Sequence, residues 1–311
     1  MPCSYGAAVT EMRPRPVAEI DITETLVRTL VASARTDLAG LPIVEVGQGW
    51  DNSVWRLGQD LAVRVPRRQM AVELLRNEQV WLPQLSAALP LPVPEPLVNG
   101  APTADFPWPW SICRWVPGVS WAESPPLDEI AAACALGAFL HALHRPAPPD
   151  APRSPFRGGT VAERDATVRA RLSLLADMSM GTSVRIGVLL ELWDRVLVAD
   201  TGSTRWLSWA HGDLHPLNLA CHDGRLSGVL DFGDLTVGDP AVDLSVGWTV
   251  LDAPGRDALF ESYDAGPAAI VRGAGWALNH GLACVTGSAD HSAVAAIGWR
   301  TLERLSEEPP G

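Results

Sequence analysis

The chain has 311 residues, 47% of them hydrophobic, and a formal net charge of −12. That length supports two domains or one large two-lobed unit with a substantial core, and the acidic balance argues against a nucleic-acid partner, whose phosphates call for basic patches. Five scattered cysteines (Cys3, Cys113, Cys134, Cys221 and Cys284) with no C-x-x-C pair argue against a disulfide framework or a cysteine zinc site, and point to a reducing cytoplasm.

Residues 1–19 are proline-rich and read as a loose arm without a leader pattern, and no apolar run in the chain is long enough for a membrane span. Asp21-Ile22-Thr23-Glu24 has the form of a capping box, and Ile22, Leu26, Leu30 and Val31 follow at helical spacing, which predicts a helix to residue 34. Residues 42–46, 53–57 and 61–65 are short β-rich runs, separated by the turns at 47–52 and 58–59; they predict a three-stranded antiparallel meander. Helical period returns over 69–86, with Pro83 expected to disturb the last turns. The proline-dense stretch 89–96 predicts an extended, exposed connection, and 109–116 predicts a buried strand closed by Pro117-Gly118.

Beyond that point the character turns helical, with helices predicted over 127–144, 161–178, 186–199, 240–251, 267–285 and 290–305. Two short strands, 219–222 and 225–230, are joined by an Asp223-Gly224 turn. The expected fold is α+β. It has a small antiparallel-sheet N-terminal lobe (1–113), a hinge (114–118), and a larger, mainly helical C-terminal lobe (119–311), with a ligand cleft between them.

Most of the chemistry lies in one stretch. Residues 211–218 read H-G-D-L-H-P-L-N, and Leu230-Asp231-Phe232-Gly233 follows. Phosphoryl transfer needs a carboxylate to orient a hydroxyl and oxygen ligands to hold Mg²⁺ on the phosphates. Asp213 answers the first need; Asn218 and Asp231 answer the second. Asp213 alone would pass for a turn residue, but Asn218 and Asp231 in register weaken that reading. His211 and His215 sit four apart, yet Pro216 breaks any helix through them, so both are expected to brace the loop rather than bind metal from one helix face.

Four other places carry expectations. Gly49, Asn52 and Ser53, in the turn after residue 46, are expected to approach phosphates with backbone N–H groups and side-chain donors, although the turn is neither a P-loop nor a dinucleotide fingerprint. Arg64 alternates with Val63 and Val65 on its strand; Glu78 on the next helix is its expected ion-pair partner and Glu73 the rival. The backbone of Arg114 and Val116 in the hinge would meet a purine edge, with Leu230 covering its face. Asp239 reads as a helix cap and Asp243 as a brace for the 211–218 loop, while Asp234, Asp252, Glu261 and Asp264 are candidates for contacting a cationic substrate or else plain surface carboxylates.

The motifs H-G-D-L-H-P-x-N at 211–218, the aspartate at a strand end at 231, and G-D-P-A-x-D-L at 238–244 resemble the aminoglycoside phosphotransferase family, a branch of the protein-kinase-like fold. The resemblance covers most of the chain. It implies a two-lobed kinase-like enzyme that uses Mg²⁺ to move the γ-phosphoryl group of ATP or GTP to a hydroxyl of a small natural product, first of all an antibiotic such as an aminoglycoside. By that resemblance Asp213 is the catalytic base, Asn218 and Asp231 are the Mg²⁺ ligands, Arg64 stands at the phosphate-contacting position and Glu78 is its partner. The chain departs from the family at position 64, where arginine replaces the usual lysine; the sequence contains no lysine at all. The acceptor pocket is expected from residues 161–200 and 245–285. Three alternatives stay open: a kinase of a small metabolite alcohol of choline, homoserine or sugar type; a nucleotide-binding pseudokinase, suggested by Arg64; and a metal hydrolase using His211, Asp213, His215 and Asp231.

Overall fold

The structure, a computed structural model, describes residues 17–154, 156–178, 183–200, 208–288, 292–307 and 309–310. Most of the expected N-terminal arm, Cys3 and the start of the helix expected at 290 lie outside those residues.

Helix α1 (Glu24–Ala34) is capped by Thr23, whose hydroxyl accepts from the Leu26 N–H at 3.2 Å, rather than by Asp21 of the expected box. It buries Val27, Leu30 and Val31. Strands β1 (Ile43–Gln48), β2 (Asn52–Leu57) and β3 (Leu61–Pro66) form the expected meander. Helix α2 (Ala71–Ser86) continues through Pro83, because Leu82 and Leu85 are buried on either side and packing outweighs the lost hydrogen bond. Strands β4 (Pro96–Gly100) and β5 (Trp110–Arg114) complete a five-stranded antiparallel sheet of order β1-β2-β3-β5-β4. Pro96 hides β4 in the sequence, and an edge position is where a sheet tolerates proline. Val93 and Pro94, in the connection expected to be exposed, are buried.

The rest is mainly helical. Strand β6 (Val119–Ser120) precedes α3 (Glu129–Leu143), whose cap Asp128 accepts from the Ala131 N–H at 2.9 Å. A 3₁₀ turn over Val161–Arg164 leads into α4 (Asp165–Met178), and α5 (Ile186–Ala199) follows. Strands β7 (Ser208–Ala210), β8 (Leu219–His222), β9 (Arg225–Val229) and β10 (Thr236–Gly238) then form two small sheets, β6-β8-β9 and β10-β7. Asp223 and Gly224 both take positive φ between β8 and β9, as a tight hairpin requires. The chain ends in α6 (Ala241–Leu244), α7 (Val246–Thr249), α8 (Ala253–Tyr263), α9 (Pro267–Gly287) and α10 (Ala293–Glu307). Helix α8 escaped the sequence reading; its Pro254 sits in the first turn, where proline is tolerated, and was not read as a start signal.

The described residues form two separate hydrophobic cores, and Leu82, Leu85 and Val93 of the expected N-terminal lobe belong to the larger one. One joins α1 and the five-stranded sheet through Trp55, Phe106 and Trp110. The other joins the C-terminal helices through Phe139, Trp193, Trp248 and Trp276. Among the described residues no helix is long and apolar enough to cross a membrane.

Candidate active site

The loop after β7 is held from below by one buried carboxylate. Asp243, fully buried at the start of the 241–249 helices, accepts the N–H groups of His211 at 2.6 Å and Gly212 at 2.8 Å. His144 Nε2 lies 3.0 Å from the same carboxylate, and its Nδ1 lies 2.8 Å from the Tyr263 hydroxyl. Burial works against the Asp243 charge, but the bond from His144 and the loop N–H groups hold its carboxyl below the usual range. Gly212 adopts φ +86°, and a Cβ there would meet the Asp234 carbonyl oxygen at 2.8 Å, so the position requires glycine. The His211 ring packs on Phe232 at 4.6 Å and donates from Nε2 to the Leu230 carbonyl at 2.9 Å, which ties the loop to residues 230–233. His215 Nδ1 accepts from the Leu217 N–H at 3.2 Å and starts the 3₁₀ turn Pro216–Asn218. Both histidines therefore brace the loop. Among the described residues no group of three or more His, Cys, Asp or Glu is placed to hold a metal ion, which disfavours the hydrolase alternative.

Asn218 donates from its amide nitrogen to the Asp213 carbonyl at 2.9 Å, and that nitrogen lies 3.2 Å from His215 Nε2, so its amide oxygen is the group left to meet a ligand. Asp231 stands just past β9 in the left-handed region, φ 58° and ψ 75°, a conformation uncommon outside glycine and often found at functional sites. Its side chain is 55% exposed. Asn218 and Asp231 line one cleft of about 450 Å³ between the sheet and the helical lobe, with Arg64, Leu217 and Leu230 beside them. Asp213 is not among the residues lining this cleft; its carboxylate meets Arg157 and lies near His280 of the helical lobe.

Arg64 spans two acids. One guanidinium nitrogen meets Glu78 at 2.9 Å and the other meets Asp231 at 3.0 Å. Burial opposes its charge, and Glu78 and Asp231 more than restore it. Burial pushes the Glu78 carboxyl up to about 7 against the pull of Arg64. Glu73 pairs instead with Arg76, on an exposed face. A lysine could not make both contacts with two separate nitrogens, and the arginine fork can.

The remaining expected residues divide. Gly49 lines the cleft, but its N–H is committed to the Asn52 carbonyl at 2.7 Å, so it offers close approach rather than a donor. Asn52 also lines the cleft, and its buried Oδ1 has no hydrogen-bond partner among the described residues. Ser53 does not line the cleft: its hydroxyl is buried and accepts from the Trp55 indole at 2.8 Å, because adjacent strand residues face opposite sides. The Arg114 N–H is bonded to the Glu95 carbonyl at 3.0 Å, and its guanidinium to the Glu95 carboxylate at 2.9 Å, so this N–H is closed to a purine. The Val116 N–H, at the cleft, has no partner among the described residues. Leu230 lines the cleft as expected, and Glu78 stands behind Arg64.

Sequence reasoning missed Arg157 and His280 beside Asp213. Arg157 donates to its Oδ1 at 2.7 Å, and Arg157 Nε lies 4.0 Å from Asp234. His215 Nε2 and His280 Nδ1 lie 3.5 and 3.9 Å from the Asp213 carboxylate. Burial alone would raise Asp213, but Arg157 and His215 hold it well below the usual carboxylate range. Burial pushes Asp234 up to about 6, with Arg157 opposing, and pushes His280 down to about 3, which leaves that ring neutral at pH 7. Arg157 sits in an irregular loop without periodicity, so the sequence held no signal for it. A second missed pair supports the 238–244 motif: the cap residue of α6 is Pro240 rather than the expected Asp239, which stands one residue earlier, accepts from the Ala241 N–H at 3.0 Å, and also accepts from Arg272 Nε at 2.6 Å.

Comparison with known proteins places the fold and the family. The uncharacterized protein YcbJ of Bacillus subtilis is 27% identical over 223 residues, which are 67% of this chain and 68% of that protein. The solved GDP complex of wild-type aminoglycoside 2'-phosphotransferase-IIIa is similar over 91% of this chain and 98% of its own, at 18% identity and a TM-score of 0.63. Macrolide 2'-phosphotransferase MphH of Brachybacterium faecium is similar over 92% of this chain and 98% of its own, at 21% identity and a TM-score of 0.57. At such identities the likeness establishes the kinase-like two-lobed fold. Residues 42–277 match the phosphotransferase enzyme family (APH), and the chain belongs to that family.

Proposed function

We propose that this phosphotransferase moves the γ-phosphoryl group of ATP or GTP, with Mg²⁺, to a hydroxyl of a small natural product in the cytoplasm. The observation that carries the reading is the pairing of Asn218 and Asp231 in one cleft beside Arg64, with Asp213 on the same loop. One neutral and one anionic oxygen ligand suit Mg²⁺, a hard cation that keeps several waters. When bound, Mg²⁺ neutralises charge on the phosphates. Asp231, restrained by Arg64, and Asn218, restrained through its amide nitrogen, are the residues that would hold it. Arg64 offers the phosphates a positive charge that Glu78 and Asp231 keep on against the effect of burial. Asp213 orients the acceptor hydroxyl and takes its proton late; a loose transition state asks for orientation more than for a strong base, so a depressed carboxyl pKa suits the role.

Nucleotide as donor is supported by the GDP complex of aminoglycoside 2'-phosphotransferase-IIIa and the streptomycin-ATP complex of APH(2")-IIa, a further structural neighbour with a TM-score of 0.56. Those neighbours, with the macrolide enzyme, make an antibiotic the first acceptor class to try. A small-metabolite alcohol is the second reading, and the guanidinium of Arg157 against Asp213 favours it, since a polycationic acceptor would bring like charge to that spot. The intact Asp213, Asn218 and Asp231 set argues against a pseudokinase. The test is a nucleotide-turnover screen over antibiotics and small alcohols, with mass spectrometry to locate the added phosphoryl group. Mg²⁺-dependent diphosphate release stimulated by an acceptor is expected; tight nucleotide binding without transfer to any acceptor would overturn the reading in favour of a pseudokinase.

A further inference from the structure

The carboxylate assigned as the base has a donor at each oxygen. Arg157 Nη2 donates to Asp213 Oδ1 at 2.7 Å. His215 accepts the Leu217 N–H at Nδ1, so its ring proton sits on Nε2, which lies 3.5 Å from Asp213 Oδ2. A hydroxyl has to bond to one of these oxygens before it can be oriented. The guanidinium has a second place to go: Arg157 Nε already lies 4.0 Å from Asp234, at the end of the 3₁₀ turn that follows Asp231.

The backbone beneath Arg157 has no such choice. The Ser154 N–H donates to Thr236 Oγ1 at 2.8 Å and the Val237 N–H to the Pro152 carbonyl at 2.9 Å, which ties this segment to β10. The Arg157 N–H donates to the Ser154 hydroxyl at 3.2 Å. The stem of the side chain lies over Gly212, where an added Cβ would come within 3.2 Å of the Arg157 Cβ. A fixed base and a long side chain between two carboxylates let the tip exchange partners while the loop stays. Arg157, Asp213 and Asp234 are all half-buried, so water can reach the group.

Water competes with any acceptor, and a base left open would hydrolyse bound nucleotide before the acceptor arrives. Resting on the assignment of Asp213 as the base, we propose that Arg157 is a specificity-determining residue that excludes water from the reaction: it covers Asp213 until an acceptor hydroxyl takes its place, and Asp234 then receives the guanidinium. The step it suppresses is hydrolysis. In that step a water oxygen bonds to the γ-phosphorus and the bond from the γ-phosphorus to the β–γ bridging oxygen breaks. The electron pair stays on the nucleoside diphosphate, and the water proton passes to Asp213 and on to solvent.

The test measures phosphate release from Mg·ATP and Mg·GTP by the full chain without any acceptor, with nucleotide affinity measured by calorimetry. Arg157→Gln is expected to raise this release by about tenfold or more, the worth of a charge-assisted hydrogen bond. A merely structural role would lower it. Asp234→Asn removes the second resting place and should slow the release below that of wild type. If Arg157→Gln does not fold, Asp234→Asn decides alone, and release equal to or faster than wild type would overturn the proposal. Unchanged or slower release in folded Arg157→Gln, with nucleotide bound as in wild type, would overturn it and leave the phosphotransfer reading standing. The gain should vanish in the double variant Arg157→Gln/Asp213→Asn; a gain that survives there would strike the assignment of Asp213 on which both rest.

Discussion

Arg64 and Arg157 do similar work in different ways. Each reaches from a distant segment to an aspartate of the site: Arg64 to Asp231 at 3.0 Å, Arg157 to Asp213 at 2.7 Å. Arg64 stands on a central strand with its side chain 9% exposed, and Glu78 behind it is 2% exposed. Arg157 stands on a loop, 23% exposed, between Asp213 and Asp234. The Arg64–Asp231 contact is thus built into sheet and helix packing, where few alternatives fit. The Arg157–Asp213 contact is built on a loop, where a different residue could take its place. Rigid elements serve the shared chemistry and loops serve specificity.

That contrast can be broken by mutation. Arg64→Ala leaves Glu78 a buried acid without its partner and should cost about 3–5 kcal/mol of stability in denaturant titration. A variant as stable as wild type would show that the buried pair does not clamp α2 to the sheet. Next in size, Asp243→Ala removes the acceptor shared by the His211 and Gly212 N–H groups, and should lower kcat by about a hundredfold through misplacement of the loop, with little change in nucleotide affinity. An unchanged kcat would mean that the loop holds its shape without that brace.

Arg157→Gln sharpens the comparison through pH. Arg157 is the strongest influence holding Asp213 low, and burial pushes the other way, so its removal raises the Asp213 pKa. A base is inactive when protonated, so the acid limb of kcat/KM should move to higher pH in the variant. A merely structural role for Arg157 would lower the rate and leave the limb in place. Smallest of all, Asp128→Ala removes the cap of α3, far from both arginines, and should cost about 1 kcal/mol of stability with kcat/KM unchanged.

The same contrast explains what could be read in the sequence. Asp213, Asn218 and Asp231 lie within 19 residues' span of loop and hairpin and announce their chemistry by local order. Arg64 and Glu78 followed from strand alternation and helix position, and α5 from apolar period alone. Alternation also held the correction for Ser53, since it and Asn52 cannot both face the cleft. Strands β6, β7 and β10 are two or three residues long and carry no pattern. Arg157 is separated from Asp213 by 56 residues and Arg171 from Asn279 by 108, and nothing in composition or spacing joins such pairs before the chain folds.

The central claim is that Asp213 acts on an acceptor while Asn218 and Asp231 serve the nucleotide metal. It is tested most directly by measuring Mg²⁺-dependent transfer from ATP or GTP by wild type and Asp213→Asn side by side, with nucleotide affinity measured on both. The account predicts a loss on the order of 10²–10⁴ in kcat for the variant, with nucleotide affinity within a few-fold of wild type. Equal rates in the two proteins would contradict it.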